Sequence, residues 1–216
     1  MQASNCHRSS FLACAFVSIS SIRALSTTVT KLVILDRDGV INEDSDQYIR
    51  SAEEWLPVPG SIEAIARLSI SGYKIVIATN QSGLARGYFT QEELDSMHVK
   101  LTRLVSVHGG HINGIYYCPH SPDDNCQCRK PKTGLIERIF TDYPVDPAET
   151  WLVGDSLRDL QTGLDSGCKV ALVLTGKGYK TQVKLIEHPE ELSGTKSVPV
   201  YNNLSSFVEK LLSEEF

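Results

Sequence analysis

Short apolar runs that stop abruptly at polar residues recur along this sequence from residue 31 onward. The first, Lys31–Leu35, ends directly at Asp36. Runs of this length, rich in β-branched residues, are typical of strands that are buried on both faces of a parallel sheet. The sequence predicts five such strands: Lys31–Leu35, Lys74–Ala78, Gly114–Tyr117, Thr150–Val153 and Lys169–Leu174.

Amphipathic stretches between these runs predict helices. The predicted helices are a segment that Ser61 caps and Gly72 closes, then about Thr90–Val107, Thr133–Tyr143, about Leu157–Ser166, and residues 203–213. Thr90 and Glu93 have the spacing of a capping box, which marks a helix start. Strands that alternate with helices imply crossover connections and a parallel sheet covered on both faces. We therefore expect an α/β fold in three layers, with ligands beyond the carboxyl ends of the strands.

Length and charge limit the class of protein. The chain has 216 residues, 41% hydrophobic and 22% charged, which suits one globular domain. A formal net charge of -5 argues against the basic surface that nucleic-acid-binding proteins carry. No apolar run is long enough to span a bilayer. We expect a monomer that binds neither nucleic acid nor membrane.

Residues 1–30 differ in composition from the rest of the chain. They contain no Asp, Glu or Lys, and many serines. Three interpretations remain open: a signal peptide with Phe11–Ile19 as its apolar part, a transit peptide, or an upstream extension from a wrongly chosen start codon. In each, the segment lies outside the fold. The sequence therefore predicts an unstructured or non-native extension over 1–30 and a catalytic domain over 31–216.

The first predicted strand runs into Asp36-Arg37-Asp38-Gly39. Two carboxylates two residues apart at a strand end project into the same pocket, where they repel each other unless a cation is bound. Mg2+ prefers such oxygen ligands and leaves room for phosphate oxygens. Asp36 is placed to attack phosphorus, and Asp38 is placed to protonate the leaving alkoxide and later to activate water. The alternative is an ordinary polar turn.

Three more segments offer polar groups for phosphate chemistry. Residues 79–83 (TNQSG) supply a hydroxyl and backbone N–H groups before a helix, which can cradle a phosphoryl group. Arg129 and Lys130 can neutralise the charge that grows on a transferring phosphoryl group. Asp155 can complete a magnesium shell, and Asp159 can orient its neighbours. Taken singly, each has a structural alternative: turn chemistry, a solvated basic turn, or a helix N-cap.

Four potential metal ligands lie within eleven residues: Cys118, His120, Cys126 and Cys128. Three thiolates and one imidazole can close a tetrahedral structural zinc site. The alternatives are a disulfide between neighbours and reduced cysteines in a loop. A tight Cys/His cluster in an enzyme-like sequence favours a metal over an extracellular disulfide framework, and hence a reducing compartment, the cytoplasm. Zinc would fix the loop 118–128 directly before Arg129.

In order along the chain, these features match the four signature motifs of the haloacid dehalogenase-like (HAD) phosphohydrolases: Asp-x-Asp, a Thr, a Lys and Gly-Asp-x-x-x-Asp. Four segments further resemble the D,D-heptose 1,7-bisphosphate 7-phosphatases of bacterial lipopolysaccharide and surface-layer glycan synthesis: Asp36–Asn42, Thr79–Gly87 (TNQSGLARG), Gly114–His120 (GIYYCPH) and Cys126–Pro131 (CQCRKP). The resemblance covers residues 31 to about 180. It implies a compact Rossmann-like HAD domain with no large cap, a structural zinc ion and a catalytic magnesium ion.

The resemblance also implies roles for single residues. The nucleophile is Asp36 and the general acid/base is Asp38, and the full catalytic set is Asp36, Asp38, Thr79 and Lys130. The magnesium ligands are Asp36, Asp38 (through its carbonyl) and Asp155. The zinc ligands are Cys118, His120, Cys126 and Cys128. The substrate-binding residues are Asp36, Arg37, Asp38, Asp44, Thr79, Asn80, Gln81, Ser82, Arg129 and Lys130. Ser156 stands where family members often carry Lys.

The activity implied by the resemblance is hydrolysis of the 7-phosphate of D-glycero-D-manno-heptose 1,7-bisphosphate, through an aspartyl-phosphate intermediate, in ADP-/GDP-heptose and lipopolysaccharide core biosynthesis. One alternative is a histidinol-phosphate phosphatase, whose related domain shares the zinc loop and the CRKP run. The Ser82–Gly87 segment favours the heptose enzymes. Another alternative is a catalytically silent binding protein on the same fold, but every catalytic position carries the motif residue.

Overall fold

The computed structural model describes residues 30–192 and 197–214, so the prediction for the N-terminal extension lies, but for Thr30, outside the described residues. The strands are β1 (Leu32–Leu35), β2 (Lys74–Asn80), β3 (Gly114–Cys118), β4 (Trp151–Gly154), β5 (Lys169–Val173) and β6 (Val200–Tyr201). The helices are α1 (Ser61–Ile70), α2 (Gln91–Val107), α3 (Gly134–Asp142), α4 (Leu157–Asp165), α5 (Gly178–Glu187) and α6 (Leu204–Ser213). All strand pairs are parallel, in the order β3-β2-β1-β4-β5-β6.

Side chains of β1 alternate between two hydrophobic cores, as period-2 geometry requires. Val33 and Leu35 pack into a core with α1, α2 and α6 on one face of the sheet. Leu32 and Ile34 pack on the other face with α3. On that second face, Leu160 of α4 packs with β5, and α5 lies against them. The predicted three-layer α/β fold is confirmed, and no separate cap domain is inserted among the described residues.

The strand order reverses beside β1. The chain runs outward from β1 through β2 to β3, then crosses back to β4 and continues outward to β6. A crevice forms beyond the carboxyl ends of the strands at such a switch point, and ligands bind there. Asp36 follows β1 and Asp155 follows β4, so the topology brings these two carboxylates to the crevice.

Several details differ from the sequence-based expectation. The sequence predicts neither α5, whose buried residues are only Gly178 and Thr181, nor β6, which has only two residues. Thr79 and Asn80 belong to β2 instead of following it. The prediction that Ser61 caps α1 is wrong. Gly60 occupies the N-cap with φ 81°, a left-handed conformation that suits glycine, and the Ser61 hydroxyl donates to the Ile41 carbonyl at 2.6 Å.

Candidate active site

A cavity of about 250 Å³ lies at the carboxyl ends of β1, β2 and β4. It is lined by every residue predicted for catalysis, substrate binding or magnesium: Asp36, Arg37, Asp38, Asp44, Thr79, Asn80, Gln81, Ser82, Arg129, Lys130 and Asp155. These residues come from five separate parts of the sequence. The parallel sheet unites them because its strand ends meet at one edge.

Asp36 is held by its backbone and by a cation. Its N–H donates to the Val153 carbonyl of β4 at 2.9 Å, which continues the sheet by one residue. Lys130 Nζ lies 2.9 Å from its Oδ1. Burial, followed by the charge of Asp159, raises the pKa of Asp36 to about 7, even though the Lys130 charge opposes this. A carboxylate must be ionised to act as a nucleophile. Asp36 therefore needs more positive charge nearby than Lys130 supplies, to lower its pKa.

Lys130 is a buried cation between two carboxylates. Its Nζ lies 2.9 Å from Asp36 Oδ1 and 2.5 Å from Asp159 Oδ1, and it donates to the Ala78 carbonyl at 2.7 Å. Burial lowers its pKa, but the two carboxylates outweigh burial and raise the pKa to about 12. Lys130 is therefore charged at neutral pH, and it lies beside the carboxylate predicted to attack phosphorus.

Asp38 accepts hydrogen bonds from three side chains. Arg37 Nη2 donates at 2.9 Å and 3.1 Å, Asn42 Nδ2 at 2.9 Å, and Gln81 Nε2 at 2.8 Å. Burial raises the pKa of Asp38, but the Arg37 charge and these hydrogen bonds outweigh it and leave the pKa below its ordinary value. At neutral pH Asp38 is a carboxylate, and an incoming phosphate dianion raises its pKa towards the protonated form of a general acid.

Carboxylates from β1, β4 and α4 form a second feature of the cavity. Oxygens of Asp36, Asp155 and Asp159 lie within 4.8 Å of one another. Burial, followed by the charges of Asp159 and Asp36, raises the pKa of Asp155 to about 8. Buried carboxylates that repel one another in this way suit a hard divalent cation such as Mg2+.

Two glycines allow the loops to close on this cluster. A Cβ on Gly39 would lie 2.1 Å from Asp155 Oδ2, and one on Gly176 would lie 2.2 Å from the same atom. Both residues have positive φ, 86° and 57°. Asp155 Oδ2 accepts the N–H of Lys177 at 2.7 Å, whereas Asp159 is occupied by Lys130 and by the Ser156 N–H and hydroxyl. This favours Asp155 over Asp159 as a metal ligand, while the role of the Asp38 carbonyl stays a prediction.

The end of β2 is tied to the loop that carries Lys130. Asn80 Nδ2 donates to the Lys130 carbonyl at 3.1 Å, and the Lys130 N–H donates to Asn80 Oδ1 at 3.1 Å. The Gln81 N–H donates to the Cys118 carbonyl at 2.8 Å. Thr79 Oγ1 accepts from Gln81 Nε2 at 2.9 Å. These contacts place a hydroxyl and an amide at the floor of the cavity.

The predicted zinc ligands form a cluster next to this loop. The three sulfurs of Cys118, Cys126 and Cys128 lie 3.3 to 3.6 Å apart, and His120 Nδ1 lies 3.3 and 3.6 Å from two of them. Bonds of about 2.3 Å to a tetrahedral zinc ion would place sulfurs about 3.8 Å apart. The cysteines are free, so the disulfide alternative is not realised. The donor set and its spacing fit zinc.

A HAD-hydrolase-like family model matches residues 127–198. A D-glycero-beta-D-manno-heptose-1,7-bisphosphate 7-phosphatase of Neisseria meningitidis serogroup A is 52% identical over 184 residues, which cover 85% of this chain and 96% of the relative. The chain belongs to the heptose 1,7-bisphosphate 7-phosphatase family. The predicted family resemblance is thereby confirmed.

Solved structures of heptose bisphosphate phosphatases share this fold. The enzyme from B. bronchiseptica, complexed with magnesium and phosphate, has a TM-score of 0.80 and 45% identity, covering 86% of this chain and 99% of that one. The enzyme from Burkholderia thailandensis has a TM-score of 0.66 and 40% identity, covering 85% and 99%. These relatives favour neither the histidinol-phosphate alternative nor the silent binding protein.

Two basic residues that line the cavity, Lys177 and Arg158, are not predicted as site residues from the sequence. Lys177 donates its N–H to Asp155, and its Nζ pairs with Asp44 Oδ2 at 2.5 Å. Arg158 lines the cavity from the first turn of α4. The only sequence signal for Lys177 is its place just after a strand end, and it precedes α5, a helix that the sequence does not predict.

Proposed function

We propose that the protein removes the 7-phosphate of D-glycero-D-manno-heptose 1,7-bisphosphate, giving heptose 1-phosphate, through an aspartyl-phosphate on Asp36. The observation that carries the proposal is the pairing of Asp36 with a buried, charged Lys130 at 2.9 Å, in a cavity that also holds Asp38. The 52% identity to a relative of that activity supports the choice of substrate.

In the first step, Asp36 attacks phosphorus. Its Oδ1 accepts the Arg37 N–H at 2.7 Å and faces Lys130, which orients the carboxylate, and we assign the attack to Oδ2. Lys130 stabilises the charge that develops on the phosphoryl oxygens. The bond between phosphorus and the sugar oxygen breaks, and Asp38 gives that oxygen its proton.

In the second step, Asp38 is a carboxylate again and acts as the base. It takes a proton from a water molecule, whose oxygen attacks the phosphorus of the aspartyl-phosphate. The bond from phosphorus to Asp36 breaks, and inorganic phosphate leaves. The hydrogen bonds that hold Asp38 below its ordinary pKa suit this form.

Magnesium and zinc have separate roles in the proposal. Asp36, Asp155 and the Asp38 carbonyl would hold Mg2+, which neutralises the carboxylate cluster and polarises the phosphate when it is bound. The B. bronchiseptica structure contains magnesium and phosphate. The Cys/His cluster would hold zinc in a structural role, because protein donors fill all four tetrahedral positions.

A sugar bisphosphate brings a second phosphate that does not react. Three basic side chains line the cavity besides Lys130 and the buried Arg37: Arg129, Arg158 and Lys177. Cations at the cavity wall can bind that distal phosphate and direct the other one to Asp36. Asp44, paired with Lys177, can accept hydrogen bonds from sugar hydroxyls.

We further propose a monomer that works in the cytoplasm, in the pathway to nucleotide-activated heptose and the lipopolysaccharide core. The free thiols of the Cys/His cluster suit a reducing compartment. Within residues 30–192 and 197–214, no helix combines the length and apolar character needed to cross a membrane.

The test is phosphate release in Mg2+ from heptose 1,7-bisphosphate and from histidinol phosphate, side by side. We expect a large preference for the heptose, with one phosphate removed, and 31P NMR of the product should show that the 1-phosphate remains. Asp36→Asn should abolish turnover with an unchanged melting temperature. A preference for histidinol phosphate would refute the substrate, and normal activity of Asp36→Asn would refute the mechanism.

A further inference from the structure

Arg37 stands between the two catalytic carboxylates, and its guanidinium is turned into the protein. Its side chain is 1% exposed. Nε and Nη2 donate to Asp38, and Nη2 also donates to Gln81 Oε1 at 3.1 Å. Its remaining terminal nitrogen, Nη1, lies 3.4 Å from Nε2 of His98. A buried guanidinium is costly unless each edge has a partner, so the residue at Nη1 matters to the whole arrangement.

His98 supplies a neutral acceptor at that edge. Arginine can only donate, so Nε2 of the imidazole accepts. Burial, followed by the Arg37 charge, lowers the pKa of His98 to about 4, so the ring is neutral at physiological pH. Met97 and Leu101, its neighbours on α2, are anchored in the core, and the ring of Tyr117 lies 5.9 Å away between centroids. The helix therefore fixes where the acceptor lies.

We propose that His98 is a positioning residue for Asp38, acting through Arg37. The contacts form an unbroken path from α2 to the general acid/base: His98 to Arg37, then Arg37 to Asp38. The Gln81 amide forms a second connection between Arg37 and Asp38. Its Oε1 accepts from Arg37, and its Nε2 donates to Asp38 at 2.8 Å. The direction of the Asp38 carboxylate decides whether its proton reaches the leaving oxygen, and small misplacements of such groups are costly in rate.

The inference rests on the proposed acid role of Asp38, and the choice of leaving group isolates that role. A sugar phosphate needs a proton on its departing alkoxide, whereas p-nitrophenolate leaves without one. The ratio of kcat/KM for the two substrates therefore reports the acid function of Asp38 in phosphoryl transfer. A general loss of folded enzyme lowers both values equally and leaves the ratio unchanged.

The variants to compare are His98→Leu, which removes the acceptor, and His98→Gln, which retains one. General acid catalysis typically accelerates a reaction about 100-fold to 10,000-fold, and correct positioning of the acid accounts for part of that acceleration. We therefore expect His98→Leu to lower kcat/KM on the sugar phosphate about tenfold. On p-nitrophenyl phosphate the loss should stay within about twofold. His98→Gln should recover most of the sugar-phosphate activity, with KM close to that of the wild type. His108→Leu, at the exposed end of the same helix, is the matched control and should behave as the wild type.

Equal losses on both substrates, or no loss in His98→Leu, would overturn the inference. So would failure of His98→Gln to recover any activity on the sugar phosphate. Any sugar phosphate that the wild-type enzyme hydrolyses serves for the comparison. If the heptose is not the substrate, the comparison still tests the role of His98. The two proposals can therefore fail independently of each other.

Discussion

The Asn80 side chain and the Lys130 backbone form a reciprocal hydrogen-bonded pair. Nδ2 donates to the Lys130 carbonyl and Oδ1 accepts the Lys130 N–H, both at 3.1 Å. Lys130 in turn contacts Asp36 and Asp159 through its ammonium group. One amide at the end of β2 thus fixes the cation beside the proposed nucleophile, across 50 residues of sequence.

Asn80→Ala should lower kcat about tenfold, because Lys130 loses its backbone anchor and small displacements of catalytic groups are costly. Loss of two hydrogen bonds should also lower the free energy of unfolding by about 1–3 kcal/mol. Steady-state kinetics and urea denaturation measure the two effects.

Asn203→Ala is the matched control for Asn80→Ala. It removes the N-cap of α6, whose Oδ1 accepts the Ser206 N–H at 2.9 Å, and should cost about 1 kcal/mol without changing kcat. An Asn80→Ala enzyme with wild-type kcat would contradict an anchoring role for this amide.

Strand-end reasoning was sufficient to place Asp36 and Asp155, because parallel strands bring their carboxyl ends to one edge whatever lies between them. It could not predict the partner of Asn80. The sequence suggests a phosphate contact there, but the structure joins the amide to the Lys130 backbone, in the loop that follows the Cys/His cluster. Lys177 was not predictable for a related reason: its place depends on α5, whose apolar pattern is too weak to read.

Lys177→Met should raise KM for heptose 1,7-bisphosphate about tenfold and leave kcat within about twofold. The ammonium group pairs with Asp44 at the cavity wall, while the backbone N–H that holds Asp155 is unaffected by the substitution. The expected magnitude is that of one lost charge-assisted contact. Initial-rate measurements at varied substrate concentration separate the two constants.

Lys180→Met changes an exposed lysine in the first turn of α5, three residues after Lys177, and should leave both constants unchanged. KM for p-nitrophenyl phosphate, which has no second phosphate, should change less in Lys177→Met than KM for the bisphosphate. A fall in kcat at constant KM would assign Lys177 to the chemical step and rule out distal phosphate binding.

Cys126→Ser should reduce the zinc content of the purified protein and lower its melting temperature. Its sulfur lies 3.5 Å from that of Cys118 and 3.6 Å from that of Cys128, so the substitution removes one of four clustered donors. Activity should fall as well, because the loop leads directly into Arg129 and Lys130. Elemental analysis and calorimetry on the same preparation give both quantities.

Cys168→Ala is the control for the zinc experiment. Cys168 is buried and free, and it lies outside the cluster. This variant should keep its full zinc content. Unchanged zinc in Cys126→Ser would refute the ligand set.

The stability that His98 contributes to the protein should fall as the pH is lowered from 6.5 towards 4. Burial, followed by the charge of Arg37, lowers its pKa from 6.5 to about 4 in the folded state. In that pH window the unfolded chain binds a proton at His98 that the folded protein does not, so protonation favours unfolding. The contribution is complete above pH 6.5 and is lost progressively as the pH falls to 4.

Urea denaturation at several pH values between 7 and 4 tests this, with wild type and His98→Gln measured together. Carboxylates titrate in the same range, but they are common to both proteins and largely cancel in the difference. As the pH falls, the free energy of unfolding of the wild type should therefore decrease relative to that of His98→Gln. Parallel curves would mean that His98 binds its proton equally well in both states, which contradicts a neutral imidazole held against Arg37.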